Sequence, residues 1–268
     1  MSTPLITVAM PVFNAGEYLK PALLSIINQT YSNWELIIID DGSIDGCFDN
    51  LPELNDPRIK VIRDGENKGI AIRLNQAIDL ASGEFFARMD SDDISYTQRF
   101  ELQLRHLQTH PELDLIAVRT LKINQQGNVI GKLPFHQSHD ELCAKPWLGF
   151  YLPHPTWMGR LSWFKKYKYI IPQSYYSEDY ELLLRSYKNC QFGCLSELLF
   201  EYRANNKIIW KNQFKARKAV LMLQIYYFYR QAEYLYLVFS LLFFVLKVIV
   251  DSYNFLMQFF HQRVVARI

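Results

Sequence analysis

The sequence lacks several patterns that would assign a protein class at once. Its four cysteines, Cys47, Cys143, Cys190 and Cys194, include no Cys-x-x-Cys pair, so we expect no zinc site and reduced, buried thiols of a cytosolic protein. No Gly-x-Gly-x-x-Gly follows the first apolar segment, which argues against a nicotinamide dinucleotide site. No signal-peptide pattern precedes that segment and no repeat is present, so we expect a chain without a cleaved leader.

Acidic residues are unevenly distributed over the 268 positions. None occurs between Glu201 and Glu233, and residues 202–268 carry ten Lys or Arg against two acids, whereas the preceding residues carry 19 basic and 25 acidic side chains. Half of the chain is hydrophobic, which is too apolar for disorder and sufficient for a large core. We therefore expect an acidic globular body and a basic tail that has a partner of its own.

Short apolar segments alternate with amphipathic ones along the first 95 residues. Strands are predicted over 5–10, 35–39, 59–63 and 84–89, and helices over roughly 17–28, 44–54 and 70–81. Such alternation predicts βαβ units, an α/β fold and a mostly parallel sheet with ligands beyond the carboxyl ends of its strands. Further elements are predicted at 97–109 (helix), 113–122 and 128–133 (strands), 179–187 (helix) and 195–202 (strand), and residues 134–177, interrupted by five prolines, are predicted as loops.

Three carboxylates follow the fourth predicted strand within four positions: Asp90, Asp92 and Asp93. They would repel one another in a packed interior, and Mg²⁺ neutralises such groups by binding one or two carboxylates together with substrate phosphates. The pattern therefore predicts a metal-bridged diphosphate site, with a solvated turn that caps the next helix as the alternative. Other polar residues end the neighbouring predicted strands, which favours a site: Asn14, Asp40 and Asp41.

Several motifs occur in an order and spacing typical of one family. They are ITVAMPVFNAGEYL, ELIIIDDGSID, Asn67-Lys68-Gly69 with Asn75, ASGEFFARMDSDD, His154-Pro155-Thr156, SEDYEL from Ser177, and ELLFEYR from Glu197. Over residues 4–205 the chain resembles the inverting nucleotide-sugar glycosyltransferases of family 2, of the bacterial surface-polysaccharide type. The resemblance implies a GT-A fold, a Rossmann-like three-layer sandwich, with a nucleotide-binding half at 1–95, an acceptor-side half at 96–205 and a helical tail at 206–268.

The resemblance also implies roles for particular residues. Asp41, with Asp40 beside it, would recognise the nucleotide base. Asp92 would bind Mg²⁺ or Mn²⁺, with Asp90 turned toward the sugar or ribose and His154 as a further metal or diphosphate contact, unless the histidine is only bonded to loop backbone. Other residues would line the nucleotide-sugar site: Pro11, Val12, Asn14, Asn67, Gly69, Arg73 and Glu178. For Arg88, Arg185 and Arg203 we expect a surface or ion-pair role instead.

Asp179 would be the general base, with Glu178 beside it at the start of a helix. Inversion is a single displacement, so the acceptor hydroxyl loses its proton to a carboxylate on the face opposite the leaving diphosphate. A helix N-terminus favours the ionised carboxylate that this role needs. Capping of the helix by Ser177, Glu178 and Asp179 is the structural alternative, and both can hold together.

The tail combines positive charge with an apolar segment. Residues 234–250 contain Lys247 as their only charge, and seventeen helical residues span about 26 Å, less than the roughly 30 Å hydrocarbon core. Aromatic residues surround the segment, as at membrane interfaces. Four lysines recur at helical spacing and would form a cationic stripe: Lys207, Lys211, Lys215 and Lys218.

We therefore predict a monotopic tail that lies on an anionic cytoplasmic leaflet, at the inner face of the plasma membrane. A short membrane span and a helix packed on the protein's own sheet are the alternatives. Nucleic acid is not an expected partner, because the basic residues adjoin apolar sequence and no groove-reading motif.

The leading hypothesis is an inverting, metal-assisted glycosyltransferase that moves a sugar from a nucleotide-diphosphate donor, a UDP-sugar by resemblance, to a glycan or lipid-linked glycan. A metal-dependent phosphohydrolase with Asp90 as nucleophile is one alternative, although Ile94 stands where such enzymes need a small hydroxyl residue. A non-catalytic nucleotide-sugar-binding protein is the other, and nothing in the acidic motifs favours it.

Overall fold

The computed structural model describes residues 3–171, 177–204 and 210–265. In these ranges the strands are β1 (Ile6–Val12), β2 (Trp34–Asp40), β3 (Ile59–Arg63), β4 (Phe85–Arg88), β5 (Ile94–Ser95), β6 (Leu115–Ile123), β7 (Val129–Lys132), β8 (Met158–Arg160) and β9 (Phe192–Arg203). The helices are α1 (Leu19–Ile27), α2 (Ile70–Leu80), α3 (Arg99–Thr109), α4 (His139–Cys143), α5 (Leu161–Lys166), α6 (Glu178–Ser186), α7 (Trp210–Arg230) and α8 (Tyr234–Val265). Lys207 and the predicted boundary at 205–206 lie outside the described residues.

The strands of the described chain form one sheet in the order β3-β2-β1-β4-β8-β6-β9-β5, with β7 paired to β6. Strands β3, β2, β1 and β4 are parallel neighbours, as the βαβ pattern predicts. Beyond β4, strand β8 runs antiparallel to both β4 and β6, and β6 and β9 are parallel again. The first half of the sheet therefore aligns the carboxyl ends of β1, β2 and β4 along one edge.

Apolar residues cover both faces of this sheet. Along β2, Leu36 and Ile38 belong to one buried cluster and Ile37 and Ile39 to another, because successive side chains of a strand point to opposite faces. Helices α1 and α3 complete the first cluster, and α2, α5 and α6 complete the second. Each fully buried aliphatic side chain contributes about 1.5–3 kcal/mol, and the result is the predicted three-layer α/β sandwich.

Two predictions of secondary structure were wrong. Residues 44–54 form no α-helix, because Gly46 and Asn50 adopt positive φ angles of 74° and 56°, and only the short 3₁₀ helix Pro52–Asn55 follows. The predicted loop region 134–177 contains two α-helices, a short 3₁₀ helix and a strand in its described part. Helix α4 has a capping box between Ser138 and Glu141, a signal of the Ser-x-x-Glu type that is visible in the sequence.

The predicted helical tail forms a hairpin of α7 and α8. The two helices are joined by an ion pair between Arg217 Nε and Asp251 Oδ2 at 3.1 Å, and Phe228 is fully buried with its ring centroid 5.5 Å from that of Tyr236. Among the described residues, one helical stretch, Tyr234–Phe255, is long and apolar enough to cross a membrane, by length and composition only. Of its most apolar window, 6% is buried in the protein, so the apolar surface of α8 faces outward.

Candidate active site

Polar residues from three parallel strands meet at one edge of the sheet. Val12 pairs with Asp40 across β1 and β2, and Ala9 pairs with Arg88 across β1 and β4. Asp41 and Asp90 follow these strands by one or two residues, so the structure brings both predicted acidic motifs to the same edge. This is the position where ligands bind in open α/β sheets.

Asp40 and Asp41 form a buried pair whose oxygens accept several hydrogen bonds. Asp40 accepts from the backbone N–H of Ser43 at 2.8 Å and from Arg63 Nε at 3.0 Å. Asp41 accepts from the backbone N–H groups of Lys68 and Gly69 at 2.7 and 3.0 Å, and from Arg73 Nε at 2.8 Å. Such bonds satisfy the ionised form of a buried carboxylate. The pair therefore fixes the loops at the end of β2.

The backbone next to Asp41 requires glycine at two positions. Gly69 precedes α2 with a φ of 87° and donates its N–H to both oxygens of Asp41. Gly42 has a φ of 80°, and a Cβ there would lie 3.0 Å from the carbonyl carbon of Glu66. Side chains rarely adopt positive φ, and glycine does so without cost. The DDG and NKG motifs are thus joined physically around one carboxylate.

Arg73 was predicted to approach a phosphate, and the structure places its guanidinium inside the protein. The side chain is fully buried, with Nη2 2.7 Å from Asp64 Oδ1 and Nε bonded to Asp41. Its ligand role stays a prediction, and the contacts observed are those of a residue that holds Asp41 in place. Asp64, the second partner of Arg73, was missed, and no pattern in the sequence marks it.

The loop after β1 contributes backbone and amide groups. Val12 is fully buried and its carbonyl accepts the N–H of Asp41 at 2.7 Å, so only its backbone can border a ligand. Asn14 has a φ of 50° and its Oδ1 accepts the N–H of Ile44 at 2.9 Å. Pro11 is half-buried, and Asn67 is exposed beside the loop that holds Asp41. The ligand roles predicted for these residues remain predictions.

The acidic cluster of Asp90, Asp92 and Asp93 differs from the Asp40–Asp41 pair in the proximity of its carboxylates to one another. The ligand oxygens of the cluster lie within 4.8 Å of one another. Asp93 is fully buried, and its Oδ2 has no hydrogen-bond partner in the described part of the chain. Burial and the charge of Asp90 raise the pKa of Asp92 to about 6, and burial with the charges of Asp90 and Asp92 raises the pKa of Asp93 well above its usual value.

These observations fit a divalent cation. Carboxylate oxygens are hard ligands of the kind that Mg²⁺ and Mn²⁺ prefer, and three mutually repelling acids gain most from a positive charge between them. Asp90 and Asp92 are half-buried, so they can reach a ligand from outside. His154 lies outside this group of three: its Nε2 is 2.7 Å from the Tyr169 hydroxyl, and burial lowers the pKa of the imidazole well below its usual value. Its metal role stays a prediction.

Arg88 and Arg203 contact the acidic cluster directly. Arg88 is buried with Nη2 2.8 Å from Asp90 Oδ1, and Arg203 donates its backbone N–H to Asp93 at 2.7 Å and its Nε to the carbonyl of Asp92 at 2.8 Å. The sequence predicted an ion-pair or surface role for both arginines, and the ion pair of Arg88 with Asp90 agrees with that prediction. The sequence predicted a strand that reaches residue 89, so Arg88, two positions before Asp90, would lie on the same face as Asp90; in the structure β4 ends at Arg88 itself. That signal was available for Arg88.

Glu178 and Asp179 begin helix α6, and the charge of Arg88 acts on both carboxyl groups. Asp179 Oδ1 accepts the N–H of Tyr180 at 2.7 Å, which favours its ionised form. Burial nevertheless raises the pKa of Asp179 above its usual value, and the negative charge of Asp90 acts in the same direction. Burial and the charge of Asp179 also raise the pKa of Glu178. A carboxylate with a raised pKa is a stronger base, which suits proton abstraction near neutral pH.

A cavity of about 310 Å³ opens between the end of β1 and the acidic cluster. Phe13, Asn14 and Tyr18 line one side, and Asp92 and Arg203 line another. Arg203 also lies over the Tyr18 ring, 4.4 Å from its centroid. Together these elements make a polar cleft that joins the loop after β1 to the candidate cation site.

Comparison with known proteins assigns the class. The profile of the family described as Glycosyl transferase family 2 matches residues 7–168. The chain is 33% identical over 221 residues to the O-antigen biosynthesis glycosyltransferase WbnJ of Escherichia coli, covering 78% of this chain and 83% of WbnJ. The chain therefore belongs to glycosyltransferase family 2 and is a glycosyltransferase. This membership overturns the phosphohydrolase alternative, and it leaves the non-catalytic alternative without support.

Other relatives are matched over less of their length. An uncharacterised glycosyltransferase of Haemophilus influenzae is 32% identical over 75% of this chain, which covers 65% of that protein. The UDP-Glc:alpha-D-GlcNAc-diphosphoundecaprenol beta-1,3-glucosyltransferase WfgD of E. coli is 38% identical over 39% of this chain and 41% of WfgD. In both cases the chain spans less than two thirds of the relative.

Solved structures share the fold. TarS of S. aureus, in complex with UDP-GlcNAc, superposes with a TM-score of 0.64 at 17% identity, over 82% of this chain and 66% of TarS. The mannosyltransferase PcManGT of Pyrobaculum calidifontis, in complex with GDP-Man and Mn²⁺, gives a TM-score of 0.62 at 12% identity, over 83% of this chain and 63% of PcManGT. The predicted GT-A fold is confirmed.

Proposed function

We propose that the chain transfers a sugar, with inversion at the anomeric carbon, from a nucleotide-diphosphate sugar to a glycan or lipid-linked glycan. One observation carries the proposal: the charges of Arg88 and Asp90, whose Nη2 and Oδ1 atoms lie 2.8 Å apart at the end of β4, both act on the carboxyl group of Asp179 at the start of α6. The groups proposed for donor activation and for proton removal are thus coupled electrostatically. The resemblance favours UDP as the nucleotide, and TarS with UDP-GlcNAc has the same fold.

The donor would lie along the carboxyl ends of β1, β2 and β4. Asp41, held by Arg73, Gly69 and Lys68, would face the nucleotide base, with Asp40 shaping the loop beside it. The remaining residues of the predicted donor site would border the donor as well: Pro11, Val12, Asn14, Asn67, Asp90 and Glu178. Rigid placement of these groups lowers the entropy cost of orienting the donor for attack.

Asp92 and Asp90 would hold Mg²⁺ or Mn²⁺, supported by Asp93, with His154 as a predicted further contact. A divalent ion in this position stabilises the negative charge of the departing diphosphate. The buried Asp93 Oδ2, which has no partner among the described residues, and the raised pKa values of Asp92 and Asp93 support this assignment. PcManGT, with the same fold, is described as a complex with Mn²⁺.

Asp179 would accept the proton of the attacking hydroxyl. As this proton leaves, the acceptor oxygen bonds to the anomeric carbon from the face opposite the diphosphate, and the bond between that carbon and the phosphate oxygen breaks. The pKa of Asp179, raised by burial, strengthens the base, while the Tyr180 N–H keeps it oriented. Loss of a positioned general base costs about 10²- to 10⁴-fold in rate.

The hairpin α7–α8 would hold the enzyme on the cytoplasmic face of the plasma membrane, where lipid-linked acceptors are reached. Exposed apolar residues recur along α8 at helical spacing, including Leu235, Val238, Leu242, Val245 and Ile249. Because α7 pairs along α8 through Arg217 and Asp251, a spanning α8 would draw these charges into the bilayer. This favours a hairpin that lies in the interface with α7 toward the headgroups.

The proposed domain boundaries are those predicted from the sequence: a catalytic domain at 1–205, divided near residue 95 into donor and acceptor halves, and a tail at 206–268.

Two relatives support a role in surface polysaccharide synthesis. WbnJ is named as an O-antigen biosynthesis glycosyltransferase, and the name of WfgD gives a GlcNAc-diphosphoundecaprenol substrate.

A donor screen tests the proposed reaction. The full chain is incubated with a panel of nucleotide sugars and undecaprenyl-diphosphate-linked acceptors, with Mn²⁺ or with a chelator, and the anomeric configuration of the product is determined by NMR. We expect metal-dependent transfer with inversion. Asp179→Asn should bind the donor as tightly as the wild type and lose transfer by about 10²- to 10⁴-fold, whereas the exposed Asp79→Asn should retain full activity. A retained configuration, or full transfer by Asp179→Asn, would refute the mechanism.

A vesicle assay tests the membrane proposal. Leu242→Glu combined with Val245→Glu places two charges on the exposed face of α8, and we expect this variant to stay in the supernatant when anionic vesicles are sedimented. The same double change at exposed Val129 and Ile130 on β7 should leave sedimentation unchanged. Equal pelleting of both variants would contradict the proposed surface.

A further inference from the structure

Helix α7 reaches the helix that carries the proposed base. Gln224 of α7 is almost completely buried, and its Nε2 donates to the hydroxyl of Tyr180 at 2.8 Å and to the carbonyl of Trp147 at 3.0 Å. The Tyr180 hydroxyl in turn donates to the carbonyl of Pro146 at 2.7 Å. A buried amide with two well-formed bonds is costly to displace, because each lost partner leaves a desolvated polar group. The contact therefore ties α6, α7 and the 146–147 loop together.

The same cluster of groups extends outward to α8. The ring of Trp147 lies 4.9 Å, centroid to centroid, from each of Tyr236 and Phe239. Phe239 is partly exposed at the edge of the apolar face of α8. A continuous series of packed groups thus leads from the surface proposed to meet the membrane, through Trp147 and Gln224, to Tyr180.

Inward, Tyr180 is the immediate neighbour of Asp179. Its N–H donates to Asp179 Oδ1 at 2.7 Å, within the first turn of α6. Helix α6 has nine residues, and a helix of this length owes its position to packing rather than to its own stability. A second contact supports the same interface: the hydroxyl of Tyr227 on α7 donates to the buried carboxylate of Glu181. The placement of Asp179 therefore depends on how α7 seats α6.

We propose that Gln224 is a positioning residue for the base: it fixes α6 to the hairpin through Tyr180, so that docking of the hairpin on a membrane sets the position of Asp179 and with it the turnover rate. The inference rests on the proposed function, since it assigns Asp179 the role of base. In this arrangement the hairpin α7–α8 positions the base in addition to binding the membrane.

Gln224→Leu in the full chain tests the inference, because leucine keeps approximate volume and removes both donated bonds. We expect kcat to fall about 10- to 100-fold, as for a misplaced catalytic group, with the KM for the donor and the binding to anionic vesicles unchanged. Gln213→Leu makes the same chemical change on α7 away from α6 and should behave as the wild type. Equal kcat values for the two variants would overturn the inference.

A double-mutant cycle distinguishes positioning from general destabilisation. Tyr180→Phe removes the same hydrogen bond from the other side, so its effect on kcat and that of Gln224→Leu should combine to much less than their product. Effects that multiply in the double variant would overturn the inference. Thermal unfolding of each variant is followed in parallel, and if Gln224→Leu does not fold, Tyr180→Phe alone is held to the same expectation of lower kcat at unchanged donor KM.

A vesicle titration tests the link to the membrane. We expect phosphatidylglycerol vesicles to raise the kcat of the wild type and of Gln213→Leu, and to have no effect on Gln224→Leu. Equal stimulation of all three proteins would overturn the coupling. Failure of the proposed function is visible separately, as absence of transfer by the wild type or full transfer by Asp179→Asn, whereas failure of this inference leaves those two results as expected.

Discussion

Two groups of carboxylates lie at the same edge of the sheet and differ in how the protein treats them. The Asp40–Asp41 pair after β2 accepts bonds from Arg63, Arg73 and several backbone N–H groups. The acidic cluster after β4 has three like charges within 4.8 Å, and in the described residues Asp93 Oδ2 has no partner. The charges of the first group are offset by donors within the chain, whereas the proposed cation would offset those of the second.

The difference shows that two acidic motifs at one edge of a sheet can have unlike surroundings. A buried carboxylate that accepts several N–H groups has its polar atoms satisfied within the protein, and these bonds hold the loops around it. Burial and neighbouring carboxylates destabilise the ionised form of a carboxyl group, and both raise the pKa of Asp92. A bound cation would relieve this destabilisation. We therefore expect the two groups to differ in two tests: replacement of an aspartate by asparagine, and addition of a divalent metal.

Activity should depend most strongly on the acidic cluster. Asp92→Asn removes a charged ligand of the proposed cation while preserving shape, and we expect kcat/KM to fall about 10³-fold, or roughly 4 kcal/mol of transition-state stabilisation. Initial rates with Mn²⁺ measure this, with Asp79→Asn as the control of equal charge change. A tenfold excess of Mn²⁺ that restored full activity would indicate weakened binding with an intact site, and wild-type activity in Asp92→Asn would remove the assignment.

Folding stability should depend most strongly on the Asp40–Asp41 pair. Asp41→Asn leaves the fully buried Arg73 with Asp64 as its remaining ionic partner, and we expect the free energy of unfolding to fall by about 3 kcal/mol. Denaturant titration measures this. Asp79→Asn, which breaks an exposed ion pair with Lys168, should cost at most about 1 kcal/mol. Similar losses in both variants would mean that the buried pair is not structural.

Added metal should stabilise the folded protein only through the cluster. Mn²⁺ at 100 times its dissociation constant should raise the free energy of unfolding by about 2.7 kcal/mol, seen as a higher Tm than in chelator. Asp92→Asn should lose this increase, and Asp41→Asn should keep it from its lower starting point. A rise of equal size in all three proteins would place the bound ion elsewhere.

We expect the smallest effect from substitution of Arg88, whose charge acts on the proposed base Asp179. Burial raises the pKa of Asp179, and the nearby Arg88 lowers it; the carboxylate is the active form, so kcat should fall as the pH drops through this raised pKa. Arg88→Met removes a neighbouring positive charge and should move the acid limb of the kcat profile to higher pH, whereas Arg88→Lys keeps the charge and should leave the limb near its wild-type position. Superimposable pH profiles for Arg88→Met and Arg88→Lys would contradict the electrostatic effect of Arg88 on Asp179.

Much of the fold followed from local patterns. The strands of the first half, their parallel order and helices α1 and α2 correspond to periodicities that are visible in the sequence. The predicted helix at 44–54 failed because Gly46 and Asn50 take positive φ angles, which amphipathic spacing does not register. Strand β8 was missed because its three residues pair antiparallel with β4 and β6, and so short a strand carries no pattern of its own.

The sequence by itself determined the family, the alternation of strands and helices, and the acidic residues at the strand ends, because motifs and periodicity are local properties. The tertiary structure decided which of those acids are satisfied: it buried Arg73 against Asp41, paired Arg88 with Asp90, and packed α7 on Tyr180 through Gln224. Hydrogen bonds and charges act over a few ångströms between residues that are distant in sequence, so only the folded chain fixes them.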